Sequence, residues 1–135
     1  MIFIDSNIVI DLIEDGAWTD WSKRTLDARR LAPMAANLVV VAEVSRAFRA
    51  AEDVLVFLRE LDISLAPLTP EAAFRAGRAQ VDYRLSGGRH GAILADFLIA
   101  AHASVLDATL VTRDRKRFAT YFPELDIISP VGDDD

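Results

Sequence analysis

Two acidic residues follow short apolar segments that have the pattern of buried strands. Asp5 comes directly after residues 2–4, and Asp114 comes two positions after residues 109–112. A brief apolar run bounded by polar residues is typical of a buried strand, and ligands of parallel sheets bind beyond the carboxyl ends of the strands. The two carboxylates can therefore converge. Taken singly, Asp5 can also be interpreted as a helix cap and Asp114 as a turn residue.

Two further acids lie in segments that are predicted to be apolar helices. Glu43 shares a helix face with Val40 and Ala47, and a half-buried glutamate must be paired, protonated or bound to a metal. Asp96 opens an apolar helix, where it points toward the same end of the sheet. The simpler interpretation of Glu43 is a surface acid at the edge of the apolar helix face. The simpler interpretation of Asp96 is an acid that interacts favourably with the helix dipole.

Together, the four acids predict a metal centre. Clustered carboxylates repel one another, and their pKa values rise unless a cation is present. Sites with several carboxylates and open water positions suit Mg²⁺, for which Mn²⁺ can substitute. The matching chemistry is phosphodiester hydrolysis, in which a metal ion generates hydroxide and stabilises the leaving oxygen. We therefore expect one or two ions, with Asp5, Glu43, Asp96 and Asp114 as both metal ligands and catalytic residues.

The acids must be positioned by strands and helices, and the predicted strands and helices alternate along the chain. The predicted strands are residues 2–4, 31–35, 63–66, 109–112 and 125–128, and the predicted helices begin near residues 8, 18, 38, 51, 70, 95 and 115. Ser6 or Asn7 is expected to cap the first helix, Asn37 a later one and Thr69 another that opens with Pro70. Short strands separated by helices predict a parallel sheet covered on its faces.

The composition narrows the class of protein. The chain has 135 residues, 52% of them hydrophobic, which suits one domain with a substantial core. We expect this domain over residues 1–131 and a disordered acidic tail over residues 132–135. The absence of cysteine excludes disulfides, thiolate zinc sites and cysteine nucleophiles. With no signal-peptide pattern and no apolar stretch near the ~20 residues of a membrane span, a soluble cytoplasmic protein with no membrane partner is expected.

The net charge of −6 opposes nucleic-acid binding through phosphate contacts alone. Either the protein does not touch nucleic acid, or its carboxylates are concentrated where a metal ion neutralises them. The charge by itself favours the first interpretation, whereas the placement of the four acids favours the second.

Four segments carry a resemblance to a known family: IFIDSNIVIDL, NLVVVAEV, LADFLIAAHA with the glycine-rich loop before it, and TLVTRDRKRF. With these segments the sequence resembles PIN-domain ribonucleases, most closely the VapC toxins of bacterial toxin–antitoxin pairs. The resemblance implies a three-layer α/β/α sandwich with a mostly parallel sheet and Mg²⁺-dependent endoribonuclease activity on RNA. It further implies a homodimer and inhibition by a cognate antitoxin protein.

The resemblance also implies roles for individual residues. The family's metal-binding acids fall on Asp5, Glu43, Asp96 and Asp114, and its supporting polar residues fall on Ser6, Asn7 and Thr112. One position departs from the pattern. Many members carry a further acid before the phenylalanine of the last motif, and this chain has Arg117 before Phe118. That exchange puts a fifth metal contact in doubt.

The densest basic run of the chain flanks Asp114 and consists of Arg113, Arg115, Lys116 and Arg117. Arg113, Arg115 and Lys116 are candidates for contact with RNA phosphate or with an acidic antitoxin segment. A solvated helix face is the competing interpretation.

A few other residues have possible roles. Arg89 in the glycine-rich loop is a candidate for RNA contact, whereas its neighbour His90 is interpreted as incidental. His102 is expected in the core or at an interface, and Trp18 and Trp21 in the core or in a groove for an antitoxin helix.

Two alternatives to a nuclease stay open. A metal-dependent phosphatase of the haloacid-dehalogenase kind requires a second aspartate two residues after the first, where this chain has Asn7. A non-catalytic RNA- or protein-binding module of the same fold is the other alternative, although degenerate nuclease domains usually lose the acids that are all present here.

Overall fold

Strands and helices alternate in the structure, a computed structural model that describes residues 1–88 and 93–130. The strands are β1 (Ile2–Ile4), β2 (Met34–Ala36), β3 (Ile63–Leu65), β4 (Thr109–Val111) and β5 (Asp126–Ile128). The helices are α1 (Ser6–Ile13), α2 (Thr19–Asp27), α3 (Leu38–Val44), α4 (Ala51–Glu60), α5 (Pro70–Leu85), α6 (Ile93–Val105) and α7 (Arg115–Ala119), with a 3-10 turn at Ser45–Ala47. Within these residues, no helix has both the length and the apolar character needed to cross a membrane.

The strands form one sheet in the order β3-β2-β1-β4-β5, and every pairing in it is parallel. Phe3 at the centre of the sheet pairs with Ala35 on one side and with Leu110 on the other. The chain runs outward from β1 through β2 to β3, and then returns to the other side of β1 for β4 and β5. The strand order therefore reverses between β1 and β4, which is where α/β sheets open a crevice at their carboxyl ends. This arrangement confirms the α/β fold with a parallel sheet flanked by helices.

The core lies between the sheet and the helices that cover it. Phe3, Ile4 and Leu110 of the central strands are fully buried. α5 and α6 pack along each other, and α5 turns small residues, among them Ala72 and Ala76, toward the interior. Apolar burial of this kind is the main stabilising contribution to the fold, and it holds the ends of β1 and β4 in fixed positions.

The predicted helices are present in the structure, and they differ from it mainly in the residues at which they begin or end. α1 begins at Ser6 rather than near Ile8, because the extended backbone of Asp5 lets its carboxylate accept a hydrogen bond from the Ser6 N–H at 2.7 Å. The predicted cap at Ser6 or Asn7 is therefore wrong, and the alternative interpretation of Asp5 as a helix cap is confirmed. Asn37 and Thr69 cap α3 and α5 as expected. α3 ends at Val44 and passes into the 3-10 turn.

Candidate active site

Asp5 is the most deeply buried of the four acids, with 4% of its surface exposed. It follows the last residue of β1, where its backbone N–H donates to the carbonyl of Val111 in the neighbouring strand β4 at 3.0 Å. Its Oδ1 accepts from the Ser6 N–H at 2.7 Å, and its Oδ2 accepts from the Thr112 hydroxyl at 2.7 Å. Both carboxylate oxygens are thereby fixed in direction, and each keeps a lone pair for a further partner.

Thr112 joins the start of α1 to the segment that follows β4. Besides donating to Asp5, its Oγ1 accepts from the Asp114 N–H at 3.1 Å and from Asn7 Nδ2 at 3.4 Å. Asn7 Oδ1 in turn accepts from the Arg113 N–H at 3.3 Å. The structure thus brings the predicted supporting residues Asn7 and Thr112 together, and they attach the backbone around Asp114 to the cap of α1.

Glu43 reaches the same region from α3. The Ser6 hydroxyl donates to Glu43 Oε1 at 2.6 Å, which places the third predicted supporting residue between Asp5 and Glu43. Glu43 is half-buried, and the neighbouring Val40 and Val44 on α3 are fully buried. Arg46, one turn further on, pairs with Glu14 at 2.8 Å instead of holding Glu43.

Arg117 bridges the other two acids. Its Nη1 lies 2.8 Å from Asp96 Oδ2, and its Nε lies 3.0 Å from Asp114 Oδ2. Asp96 stands in the first turn of α6, and Asp114 immediately precedes α7, so one guanidinium connects two elements of the fold. Arg117 occupies the position at which the family resemblance favours a fifth acid, and it brings the opposite charge into the site.

The acids influence one another electrostatically. Burial raises the pKa of Asp5 to about 6; the hydrogen bonds from Thr112 and Ser6 oppose this rise, and the negative charges of Asp96 and Glu43 add to it. Burial also raises the pKa of Asp96, against the opposing effect of Arg117 and with the support of the charges on Glu43 and Asp114. Although burial disfavours its charged form, Arg117 has a raised pKa because of Asp96 and Asp114. All four predicted acids therefore lie in one electrostatic field.

A divalent metal ion fits this donor set in its chemistry. The donors are carboxylate oxygens, which Mg²⁺ and Mn²⁺ prefer. Asp96 and Asp114 also already stabilise a positive charge, that of the Arg117 guanidinium between them. In the described part of the chain, however, no three acidic or histidine side chains are placed to hold one ion together. The four acids fit a metal only after a change in side-chain position, and the guanidinium of Arg117 lies between two of them, Asp96 and Asp114.

An open cavity of about 560 Å³ adjoins the bridged acids. Its lining comprises Tyr83, Ile93, Asp96, Asp114, Lys116, Arg117 and Tyr121. The rings of Tyr83 and Tyr121 meet edge to face at 5.6 Å between centroids, which gives the cavity an aromatic wall. A Cβ at Gly88 would lie 2.5 Å from ring atoms of Tyr83, so this glycine of the predicted loop is required by close packing.

Sequence reasoning missed both tyrosines. Tyr83 stands between Asp82 and Arg84, and Tyr121 stands between Thr120 and Phe122, so neither has a distinctive sequence context.

The basic residues around Asp114 have different surroundings. Arg113 Nε lies 3.1 Å from Asp11 Oδ2, a buried carboxylate that also accepts from the Ser22 hydroxyl at 2.7 Å. Arg115 donates to the carbonyl of Ile127 at 2.9 Å, which fastens α7 to β5. Lys116 is exposed and lines the cavity. Contact of these basic residues with RNA or antitoxin stays a prediction. Among Arg113, Arg115 and Lys116, Lys116 lines the cavity in the described part of the chain.

The remaining candidates lie away from the cavity or outside the described residues. His102 is fully buried and packs against the ring of Phe3, as predicted for a core histidine. Trp21 packs against the core, whereas Trp18 is 39% exposed. Arg89 and His90 and the acidic tail, residues 132–135, lie outside the residues that the structure describes.

Known protein families and solved structures resemble this chain in sequence pattern and in fold. A family model described as the PIN domain matches residues 2–122 of this chain. In fold, the chain is similar to VapBC2 of Rickettsia felis, solved with a DNA fragment from its promoter, at a TM-score of 0.71 and 25% identity, covering 96% of this chain and 98% of that one. No curated protein sequence gives a significant match.

Two further structures are similar at lower identity. VapBC-1 of nontypeable Haemophilus influenzae has a TM-score of 0.69 and 20% identity, with 96% of this chain and 98% of that chain covered. A toxin–antitoxin complex from Klebsiella pneumoniae has a TM-score of 0.66 and 22% identity, with 97% and 98% covered. The resemblance predicted from the four sequence segments is thereby confirmed.

Proposed function

The chain belongs to the PIN domain family, and from that premise we propose that it is a Mg²⁺-dependent endoribonuclease and the toxin of a toxin–antitoxin pair. The observation that carries this proposal is that four acids meet at the carboxyl ends of β1 and β4 through shared partners. Ser6 links Asp5 to Glu43, Thr112 links Asp5 to the backbone of Asp114, and Arg117 links Asp114 to Asp96. Four acids from distant parts of the chain repel one another, and a fold retains such a cluster where function requires it. The similarity to VapBC complexes supports the toxin role.

The residues at this centre have distinct tasks in the proposed reaction. Asp5, Glu43, Asp96 and Asp114 would hold Mg²⁺, which supplies a Lewis acid and a water molecule of lowered pKa for phosphodiester hydrolysis. Thr112 and Ser6 orient Asp5 and Glu43 by the hydrogen bonds they donate. These bonds fix the carboxylates of Asp5 and Glu43 in direction, which lowers the cost of binding an ion. Asp96 and Asp114 are instead paired with Arg117, and they have to change partners when they take up an ion.

The cavity has the features expected of an RNA site in an acidic protein. Lys116 at its wall can pair with a phosphate, and Tyr83 and Tyr121, which also line it, are candidates for stacking with unpaired bases. The aromatic wall favours single-stranded RNA, whose bases are free to leave the helical stack. The metal ion would compensate the repulsion between the RNA backbone and the net charge of −6.

Two assembly partners belong to the proposal: a cognate antitoxin protein and a second copy of the chain. Their surfaces have to cover exposed apolar side chains, and Phe74 and Leu85 of α5 are 70% and 81% exposed. α5 is therefore the surface that we propose for one of these partners. The proposed setting for toxin, antitoxin and RNA is the cytoplasm.

The test is cleavage of total cellular RNA by purified protein that is free of antitoxin, with Mg²⁺ or with EDTA. We expect discrete fragments that require Mg²⁺ and disappear in Asp96→Asn. Asp82→Asn serves as the matched control, because it removes the same charge from an exposed position on α5. Cleavage by Asp96→Asn at the wild-type rate, or equal cleavage in EDTA, would contradict the metal-dependent mechanism.

One observation favours a second candidate, a non-catalytic binding module. Arg117 already pairs with two of the four acids and could substitute permanently for a metal ion. This candidate predicts RNA binding without cleavage under every metal condition. The phosphatase alternative receives no such support, because Asn7, which replaces the required second aspartate, is engaged with Thr112 and the Arg113 backbone.

A further inference from the structure

Arg117 stands out because it contributes positive charge to a centre that otherwise consists of acids. Its guanidinium spans Asp96 Oδ2 and Asp114 Oδ2 at 2.8 and 3.0 Å, and the charge of Asp5 also acts on it. The side chain of Asp96 is only 14% exposed and that of Asp114 is 40% exposed. Without Arg117, two carboxylates that repel each other would face one another in a partly buried position.

We propose that Arg117 is an internal counter-cation: it neutralises Asp96 and Asp114 in the metal-free protein, and it must leave them before a divalent ion can bind. This inference rests on the proposed function, since it takes the acids to be metal ligands. The oxygen that accepts an N–H from a guanidinium at 2.8 Å has its charge already compensated. A divalent ion at the same carboxylates would lie close to the guanidinium, and like charges repel strongly where solvent is partly excluded.

The surroundings of Arg117 allow it to leave. Its side chain is 45% exposed and lines the open cavity, so that its guanidinium can swing away from the acids into solvent-filled space. The next residue, Phe118, is fully buried and anchors α7 in the core. The helix can therefore stay in place while the side chain changes rotamer. The metal-free and metal-bound states would then differ in one side chain and in the carboxylates that it releases.

The chain provides a matched control for the general effect of charge. Lys116 lines the same cavity at the adjacent position and carries the same charge, but the acids of the bridge are held by Arg117. Removal of either charge makes the cavity more negative and attracts cations more strongly at long range. Only removal of Arg117 also frees Asp96 and Asp114. A difference between the two variants therefore reports direct competition.

The test is Mn²⁺ binding to the metal-free protein, measured from the electron paramagnetic resonance signal of free Mn²⁺. We expect Arg117→Gln to bind Mn²⁺ at least ~10-fold more tightly than wild type, the effect of losing a charge-assisted hydrogen-bonded pair. Lys116→Gln should bind within ~3-fold of wild type, as for an exposed charge. Without metal, Arg117→Gln should also melt at a lower temperature than wild type, and saturating Mg²⁺ should remove that difference.

Each other outcome has a definite meaning. Equal tightening in Arg117→Gln and Lys116→Gln, or weaker binding in Arg117→Gln, would overturn the inference and leave the proposed nuclease standing. Absence of Mn²⁺ binding to wild type and to both variants would contradict the metal-dependent function itself, and the inference with it.

Discussion

The hydroxyl of Thr112 donates to Asp5 Oδ2 at 2.7 Å, across a separation of 107 positions in the sequence. This bond exists because β1 and β4 are neighbours in the sheet, so that the residues that follow them meet at one edge. It ties the burial of Asp5 to the position of the segment that carries Asp114. Thr112 therefore positions two acids, Asp5 and Asp114, at the same time.

Thr112→Val should weaken both stability and RNA cleavage. The substitution keeps the shape of the side chain but leaves one buried oxygen of Asp5 without its donor, at a cost of about 1–3 kcal/mol. Cleavage should fall at least ~10-fold, because a slight misplacement of catalytic groups is enough for such a loss. Thr109→Val, at the first residue of β4, is the control and should stay close to wild type. Denaturant unfolding and RNA cleavage measure the two effects, and wild-type values for Thr112→Val would contradict the assigned role.

The stability of the metal-free protein should depend on pH through Asp5. Its pKa is about 6 in the folded protein, against 3.8 for an unperturbed aspartate, so the folded state binds more protons between these values. The free energy of unfolding that Asp5 contributes is therefore present at low pH and decreases as the pH rises from about 4 to 6, by up to about 3 kcal/mol. Asp5→Asn removes this slope. Urea unfolding of both proteins across the interval is the measurement, and parallel pH profiles would show that the carboxyl is not perturbed.

Mg²⁺ should stabilise the protein more at pH 7.5 than at pH 5. Metal ligands must be deprotonated, and below its pKa of about 6 Asp5 is mostly protonated. The increase in melting temperature at a fixed Mg²⁺ concentration should therefore grow as the pH rises through that value. Thermal unfolding with and without Mg²⁺ gives this shift directly. The same Mg²⁺ effect at both pH values would mean that the ion binds without Asp5.

Asn37→Asp should destabilise the protein in a pH-dependent way. Asn37 Oδ1 accepts from the Val39 and Val40 N–H groups, so its amide nitrogen faces His102 Nδ1 at 3.1 Å and requires that ring atom to accept. Burial lowers the pKa of His102, so in wild type the charged ring costs stability once the pH drops below the ordinary value. An aspartate keeps the cap but turns the donor into an acceptor.

The loss in Asn37→Asp should therefore be about 1–3 kcal/mol at pH 8, where a buried carboxylate faces an uncharged ring, and smaller at pH 6, where the ring can take up a proton and pair with the carboxylate. Urea unfolding at the two pH values is the measurement. A loss that does not change with pH would indicate that the defect lies in the helix cap.

The parts of the site that local sequence determines could be predicted. Asp5 and Thr112 follow strands, and the apolar character of those strands marks their burial and their parallel pairing. Glu43 could be recognised because a polar residue interrupts the stripe of Val40 and Val44. The start of α1 was predicted wrongly, since the choice of Asp5, Ser6 or Asn7 as cap depends on backbone angles that one-letter patterns do not encode.

The parts that depend on how distant elements dock could not be predicted. Arg117 lies three residues after Asp114, so their pairing is local, but its contact with Asp96 spans 21 positions. That contact exists because α7 and α6 end up on the same side of the cavity. The sequence alone shows Arg117 as one member of a basic run, and its neighbours Arg113 and Arg115 bind elsewhere in the fold. Identical residue types in one run thus acquire different roles through tertiary packing.

The reversal of strand order between β1 and β4 determines when the acidic centre can form during synthesis. Three of the four acids, Asp5, Glu43 and Asp96, belong to the first hundred residues, but β4 and Asp114 follow them. A nascent chain at that stage lacks one of the two neighbours of β1, together with Thr112 and Arg117. Contacts between residues so far apart in sequence form late in folding. A ribosome that translates this chain therefore carries no assembled acidic centre until β4 and the residues up to Arg117 have emerged.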